Sequence, residues 1–401
     1  MKILVVNAGS SSLKYQFFNM ENEAVLAKGI CEFIGVGGTM THKCPDRADY
    51  KIDVDIPTHD HAIELVLKTL VSSKYGVIES VSEIDAIGHR IAHGGEIYKK
   101  STIIDDEILG GLEKLNPINP LHGPPIIKGI RACIRHMKKT PQVGVFDTSF
   151  YSDIADFRFI YPLPYELYTQ KKIRRYGFHG TSHRYVTARV SRYMDKNSED
   201  LKIITCHLGN GSSITATAGG KAIDTSMGFT PQEGILMGTR SGSIDPTILP
   251  YLIKSEGLTA DQLEDILNKK SGFLGVSGVS NDAREVTKAA ESGNQRAQLA
   301  INILVSGIKK YIGSYAAEMN GLDALVFTAG IGENDSNIRK LVCKDMDFLG
   351  VNVDEEKNVS APKGMDFEIT AQGASVRTFI IPTNEELMIA RDTKEIVENM
   401  K

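Results

Sequence analysis

Residues 6–16 read VNAGSSSLKYQ and residues 207–217 read HLGNGSSITAT, so one plan stands twice in the chain. In each copy an apolar run enters a glycine–serine turn, and the residues after the turn alternate. Leu13, Tyr15 and Phe17 fall on one face and Lys14 and Gln16 on the other, which is the period-two pattern of a strand. Most phosphate loops feed a helix, whose N-terminal dipole and free N–H groups hold the anion. A β-hairpin follows here, so no helix N-terminus stands ready to hold an anion. Setting Gly9-Ser10-Ser11 against Gly211-Ser212-Ser213 puts Ala8 opposite Asn210. The repeat points to a duplicated domain, each copy offering one loop to a shared cleft.

Outward from these hairpins, strand-like and helix-like segments alternate, which is the pattern of an α/β fold. Residues 60–72, DHAIELVLKTLVS, set Ile63, Val66, Leu67, Leu70 and Val71 on one helical stripe. Short apolar runs end in polar residues at AIGHR (86–90), VGVFDTS (143–149), KIITCHLGNGSS (202–213), ALVFTAGIGEN (324–334) and TFIIPTNEE (378–386). Ligands of open α/β sheets collect at the carboxyl ends of strands, so chemistry is sought at those polar ends. A third loop, VFTAGIGENDSNIRKLV (326–342), runs from a strand into Gly330-Ile331-Gly332 and then a helix start. It carries two glycines of a dinucleotide fingerprint, with Asp335 where the third would fall. Its backbone offers close approach to a ribose or α-phosphate. No Gly-x-x-x-x-Gly-Lys-Ser/Thr string occurs, which argues against a P-loop ATPase.

At 401 residues the chain has room for two or three domains. A net charge of -4 argues against a nucleic-acid or anionic-membrane surface. The basic run KKIRR (171–175) reads as a solvated face. Five scattered cysteines with no Cys-x-x-Cys pair indicate neither a disulfide framework nor a structural zinc site. Reduced thiols fit a cytoplasmic protein. MKILVV is too short an apolar run for a signal peptide, and no stretch reaches the roughly 18 apolar residues of a membrane span.

The strings VNAGSSSLK (6–14), GHRIAHGG (88–95), NPLHGPP (119–125), VFDTSF (145–150), RRYGFHGTSH (174–183), HLGNGSS (207–213), DTSMGFTPQEGILMGTRSGSIDP (224–246), FTAGIGEN (327–334) and PTNEE (382–386) span nearly the whole chain in order. By them it resembles the acetokinase family, within the superfamily of sugar kinases, actin and heat-shock chaperone ATPases. The resemblance implies an α/β fold of duplicated actin-like (ribonuclease H-like) domains, with mixed sheets flanked by helices. It implies an amino-terminal domain over 1–150 that recovers the last helix, 384–401, and a nucleotide-binding domain over 151–383. It also implies reversible, direct in-line transfer of the ATP γ-phosphoryl group to acetate, giving acetyl phosphate and ADP, with Mg²⁺ or Mn²⁺, in a homodimer.

Acetate is already an anion at neutral pH, so no general base is needed to activate it. The difficulty is to bring one anion against another, which calls for positioning and neutralisation of charge. Arg90 ends the strand DAIGHR and Arg240 sits in the turn MGTRSG. A guanidinium fork grips a carboxylate or phosphoryl oxygen pair as lysine cannot. On spacing alone structural ion pairing explains both arginines equally well; the resemblance makes them the carboxylate and transition-state arginines. A lone histidine is more often structural, whereas the resemblance makes His179 a donor to the transferring phosphoryl group and His122 an aid to phosphoryl or carboxylate binding. Asp147 takes an orienting role, toward an arginine or a metal-bound water.

Glu385 has a bland explanation too: Thr383 and Glu386 form a capping box, in which an acidic first turn is expected. The resemblance instead assigns Asn7 and Glu385 to organising Mg²⁺, partly through water. It gives Ser10, Ser12, Lys14, His207, Asn210 and Gly211 to the nucleotide's phosphates. Asp282, Arg284, Gly330, Ile331, Gly332 and Asn334 go to adenosine. It builds a small apolar acetate pocket from Ala92, Leu121, Phe178 and Pro231. The family commonly has valine at the position of Ala92, and the smaller side chain makes propionate an alternative acceptor. GTP, ITP and pyrophosphate stay open as donors. An actin-like or chaperone-like ATPase is the other alternative, but it would need a peptide-binding or polymerising module that the sequence does not display.

Overall fold

Both glycine–serine segments are hairpins in the computed structural model, which describes residues 1–45, 47–120 and 122–400. Strand β1 (Lys2–Ala8) turns into β2 (Ser12–Asn19), with Ala8 opposite Leu13. No helix intervenes, because the alternation of Leu13, Tyr15 and Phe17 buries one face of β2. The chain divides into two compact units, Met1–Ser152 with Asn384–Lys401, and Asp153–Thr383.

The first unit adds β3 (Ala24–Glu32), β4 (Thr39–Lys43), β5 (Tyr50–Asp53), β6 (Ala86–Ile91), β7 (Thr102–Ile103) and β8 (Gln142–Phe146). They form a sheet in the order β5-β4-β3-β2-β1-β6-β8-β7. One face is covered by helices His59–Leu70 and Gly123–His136. Ile63, Val66 and Ala132 meet Leu4, Val6 and Tyr15 there. The helical stripe read at 60–72 is buried as far as Leu70; Val71 is the half-buried C-cap. The other face takes helix Glu385–Glu398, and a Cβ on Gly88 would strike Ile389 and Thr393 at 2.7 and 2.5 Å. Gly88 is therefore the point of close helix–sheet approach.

The second unit holds β9 (Lys202–Leu208), β10 (Ser212–Ala218), β11 (Lys221–Thr225), β12 (Ala324–Thr328), β13 (Phe367–Glu368) and β14 (Arg377–Ile380), in the order β11-β10-β9-β12-β14-β13. The run β3-β2-β1-β6-β8 and the run β11-β10-β9-β12-β14 share both order and sense: two antiparallel steps, then two parallel ones. The duplicated, mixed-sheet α/β class expected from the sequence is the one observed. On one face of the second sheet, Ile204, Cys206 and Leu208 pack against the 24-residue helix Gln295–Glu318. On the other, Ile203, Val326 and Phe379 pack against Val186 and Val190 of helix Gly180–Tyr193.

Four local readings need correction. The first hairpin closes on the pair Ala8–Leu13 and the second on Leu208–Ser212, so their loops hold four and three residues. Counting forward from the strand ends Ala8 and Leu208 sets Gly9 opposite Gly209 and Ser10 opposite Asn210, not Ala8 opposite Asn210. The helix after β12 begins at Ala329, so Gly330 and Gly332 lie inside its six residues rather than before a helix. The last helix is capped by Asn384, whose side chain accepts from Leu387 N–H at 3.0 Å. Asn is as good a cap as Thr, and Thr383 donates its N–H to Glu333 Oε1 instead. Finally, Arg175 of the KKIRR run is half-buried, donating to the carbonyls of Thr225, Ser226 and Met227 and to Glu233.

Candidate active site

The first unit builds an ionic cluster at the carboxyl ends of its parallel strands. Arg90 is the fifth residue of β6, and Asp147 follows β8 directly. The register Arg90–Val145 and the period of two carry Asp147 to the same face. Asn7 pairs with Lys14 across the first hairpin, one step beyond the Val6–His89 pair, which brings both alongside Arg90. Arg90 Nη2 donates to Asp147 Oδ2 at 2.7 Å, and its Nε lies 3.4 Å from Glu385 Oε2. Asp147 is 1% exposed and Arg90 25%, so the pair sits at the mouth of the sheet with its carboxylate sealed.

Electrostatics decide how this cluster can act. Burial works against the Arg90 charge, yet the carboxylates of Asp147 and Glu385 outweigh it and hold the guanidinium above its ordinary range. Burial raises the Glu385 carboxyl, and Asp147 and Glu386 add to the rise against the pull of Arg90 and Lys14. Asn7 and Glu385 supply amide and carboxylate oxygens, the hard donors that suit a magnesium ion keeping part of its water shell. His59, which the sequence did not single out, pins the hairpin tip through Nε2 to Gly9 O at 2.7 Å. His122 stands at the N-cap position of helix Gly123–His136 without a side-chain capping bond and is exposed. Ala92 is half-buried beside the cluster of Ile91, Ile126 and Phe146. Leu121 lies outside the described residues.

The second unit gathers donors around its own hairpin. Arg240 lies in a turn closed by Met237 N–H to Arg240 O, and Phe273 and Leu274 N–H hold the carbonyls of Met237 and Gly238. Its Nη1 donates to Pro231 O at 2.6 Å. A Cβ built on Gly211 would lie 3.3 Å from Arg240 Nη2 and 3.4 Å from His179 Nε2. A guanidinium nitrogen and an imidazole nitrogen thus converge on the bare Cα at the hairpin tip. Burial lowers the Arg240 pKa, a penalty that an arriving anion would relieve. His179, in left-handed backbone at φ 56°, stacks on His207 with centroids 4.2 Å apart. Phe178 is buried with Met227 and Met237.

A cavity of about 990 Å³ adjoins this hairpin. It brings together six of the predicted nucleotide positions, namely Asn210, Asp282, Arg284, Gly330, Ile331 and Asn334. Asp282 caps helix Ala283–Glu291 and accepts from Arg284 Nε at 3.0 Å. Gly332 is elsewhere, buried with its missing Cβ 3.3 Å from the Phe327 carbonyl carbon. Asn281, Lys288 and Lys363 also line the cavity, and the sequence reading missed them. Asn281 stands next to Asp282 and was the one within reach of that motif. Arg339 was missed as well. It is buried, its pKa pushed down by burial to about 10, and it donates to the carbonyls of Gly332 and Glu333 at 2.9 and 3.0 Å. It therefore fixes the short helix that carries Gly330.

Residues 2–391 match the model of the acetokinase family. The chain belongs to the acetokinase family. A curated relative named acetate kinase, from Clostridium novyi (strain NT), is 53% identical over 99% of both chains. The crystal structure of Porphyromonas gingivalis acetate kinase superposes with a TM-score of 0.95 at 45% identity, over 99% of both chains. A propionate kinase from Francisella tularensis superposes at 0.92 with 39% identity, over 98% of this chain and 99% of that one. As an acetokinase, the chain is an enzyme, a phosphotransferase acting on a carboxylate.

Proposed function

We propose that this acetokinase phosphorylates acetate from ATP, reversibly, and that the two units divide the work. The observation that carries the reading is the convergence of Arg240 Nη2 and His179 Nε2 on Gly211 at the tip of a phosphate hairpin. Two donors aimed at one backbone point suit a transferring phosphoryl group, whose negative charge lies on its equatorial oxygens. Asn210 and Gly211, with His207 behind His179, hold the phosphates. The cavity lined by Asp282, Arg284, Gly330, Ile331 and Asn334 takes adenosine. In the first unit Arg90 binds the acceptor carboxylate, and Asp147 aims it through the 2.7 Å bond. Asp147 is engaged with a guanidinium and acetate needs no deprotonation, so no base is assigned. Asn7 and Glu385 would hold Mg²⁺, whose charge offsets that of the phosphate oxygens. Ser10, Ser12 and Lys14 line the first hairpin. Trapping the product as acetyl hydroxamate tests the reading, since release of ADP must depend on acetate.

The cavity gives a selective variant. A Cβ on Gly330 meets nothing within 4 Å, so Gly330→Ala should fold with an unchanged or slightly raised melting point. The same methyl group stands where the nucleotide would lie. KM for ATP is expected to rise about tenfold, the equivalent of about 1.4 kcal/mol. A KM equal to that of the unmodified enzyme removes Gly330 from the nucleotide site.

Propionate is the second reading, and the small Ala92 is the feature that favours it. A methylene discriminates by about 1–3 kcal/mol, so propionate should be accepted within roughly two orders of magnitude of acetate. Ala92→Val should widen the gap in kcat/KM by about tenfold, in favour of acetate. An unaltered ratio takes Ala92 out of the specificity argument. A homodimer is the further proposal, supported by exposed Ile244, Ile248, Tyr251 and Ile253 on the second unit. A cytoplasmic setting is the reading that five scattered cysteines with no Cys-x-x-Cys pair suggest. Among the described residues no helix is long and apolar enough to cross a membrane.

A further inference from the structure

We infer that Ser213, backed by His183, is the positioning group of His179: its hydroxyl accepts the Nδ1 proton and turns Nε2 toward the phosphate hairpin. The inference rests on the reading that His179 meets the transferring phosphoryl group.

The placement follows from strand periodicity. Thr205 and His207 share one face of β9, and the register sets them opposite Thr215 and Ser213 of β10. Helix Gly180–Tyr193 crosses that face, apolar where Val186 and Val190 meet Ile203 and polar toward its N-terminus. His183, wholly buried, inserts between the two strands. Its Nδ1 lies 2.5 Å from Thr205 Oγ1, and its Nε2 lies 2.8 Å from Ser213 Oγ. Ser213 Oγ is in turn 2.9 Å from His179 Nδ1.

The direction of the chain is set at its far end. The proposed direction gives the Thr205 proton to the carbonyl of Thr215, 3.5 Å away, which only accepts, so that Thr205 Oγ1 accepts from His183 Nδ1–H. Burial, with His207 adding, holds His183 well below the ordinary histidine range, so the ring is neutral and its Nε2 accepts. Ser213 must supply that proton, and it has one. Only lone pairs then face His179, whose Nδ1 must carry hydrogen. His207 does not compete for the hydroxyl, because its own Nδ1 meets Ser182 Oγ at 2.8 Å.

His179 Nε2 is therefore the nitrogen that gains and loses a proton, and the ring donates to a phosphoryl oxygen as the imidazolium. The titratable and charged neighbours in this unit that bear on it are the stacked His207, His183 beyond Ser213, and Arg240.

Long-range ¹H–¹⁵N correlation of the full chain labelled with ¹⁵N-histidine tests the tautomer in the resting protein. Neutral His179 and His183 should both carry hydrogen on Nδ1, and an Nε2–H form of His179 overturns the inference. This measurement needs no variant of Ser213 to fold. In kinetics, Ser213→Ala should lower kcat about 10–100-fold with little change in either KM. Placed in a His179→Asn background, it should cost nothing further. Independent, multiplying losses would mean a merely structural serine and overturn this inference alone. A fully active His179→Asn would overturn the reading of His179 in the reaction, and this inference with it.

Discussion

Arg240→Ala is expected to lower kcat roughly 10³-fold while KM for ATP and acetate moves only a few-fold. Charge on the transferring group is greatest in the transition state, so a guanidinium aimed there contributes mainly to kcat. The geometry explains why lysine should not substitute. Nη1 is anchored on the Pro231 carbonyl at 2.6 Å while Nη2 reaches the Gly211 tip. One ammonium cannot hold both ends, so Arg240→Lys should recover little of the loss. A variant with raised KM and unchanged kcat would reassign Arg240 to ordinary substrate binding.

Arg90→Ala should lose both activity and stability. Removing the guanidinium strands a buried Asp147 beside a half-buried Glu385. Breaking such a pair costs about 3 kcal/mol, and losing the acceptor's anchor should lower kcat/KM about 10²–10³-fold. The two effects separate in the Arg90→Ala/Asp147→Asn variant, where no carboxylate at position 147 is left uncompensated. Stability should largely return and activity should not. Recovery of both would make the Arg90–Asp147 pair a structural device with no part in the reaction.

The hairpins were legible because burial on one face alone writes a period of two into Leu13, Tyr15 and Phe17. The polar ends of strands likewise marked Arg90, Asp147 and His207 as candidate positions, because ligands of open α/β sheets collect at the carboxyl ends of strands. What escaped notice depended on long-range pairing. Ser213 reads as turn punctuation until β10 is set against β9 and His183 arrives from a helix outside both strands. Arg175 looks solvated within KKIRR because its carbonyl partners lie some fifty residues ahead. Hairpin alignment and the switch from Thr383 to Asn384 as the cap are shifts of one or two residues, which turn length and side-chain hydrogen bonds decide.

The most direct test is the rate of acetyl hydroxamate formation by Arg90→Ala/Arg240→Ala, with folding checked by calorimetry. If guanidinium neutralisation drives the transfer and no base takes part, a folded double variant should fall at least about 10⁴-fold below the unmodified enzyme. A folded protein that still phosphorylates acetate at the original rate contradicts the account.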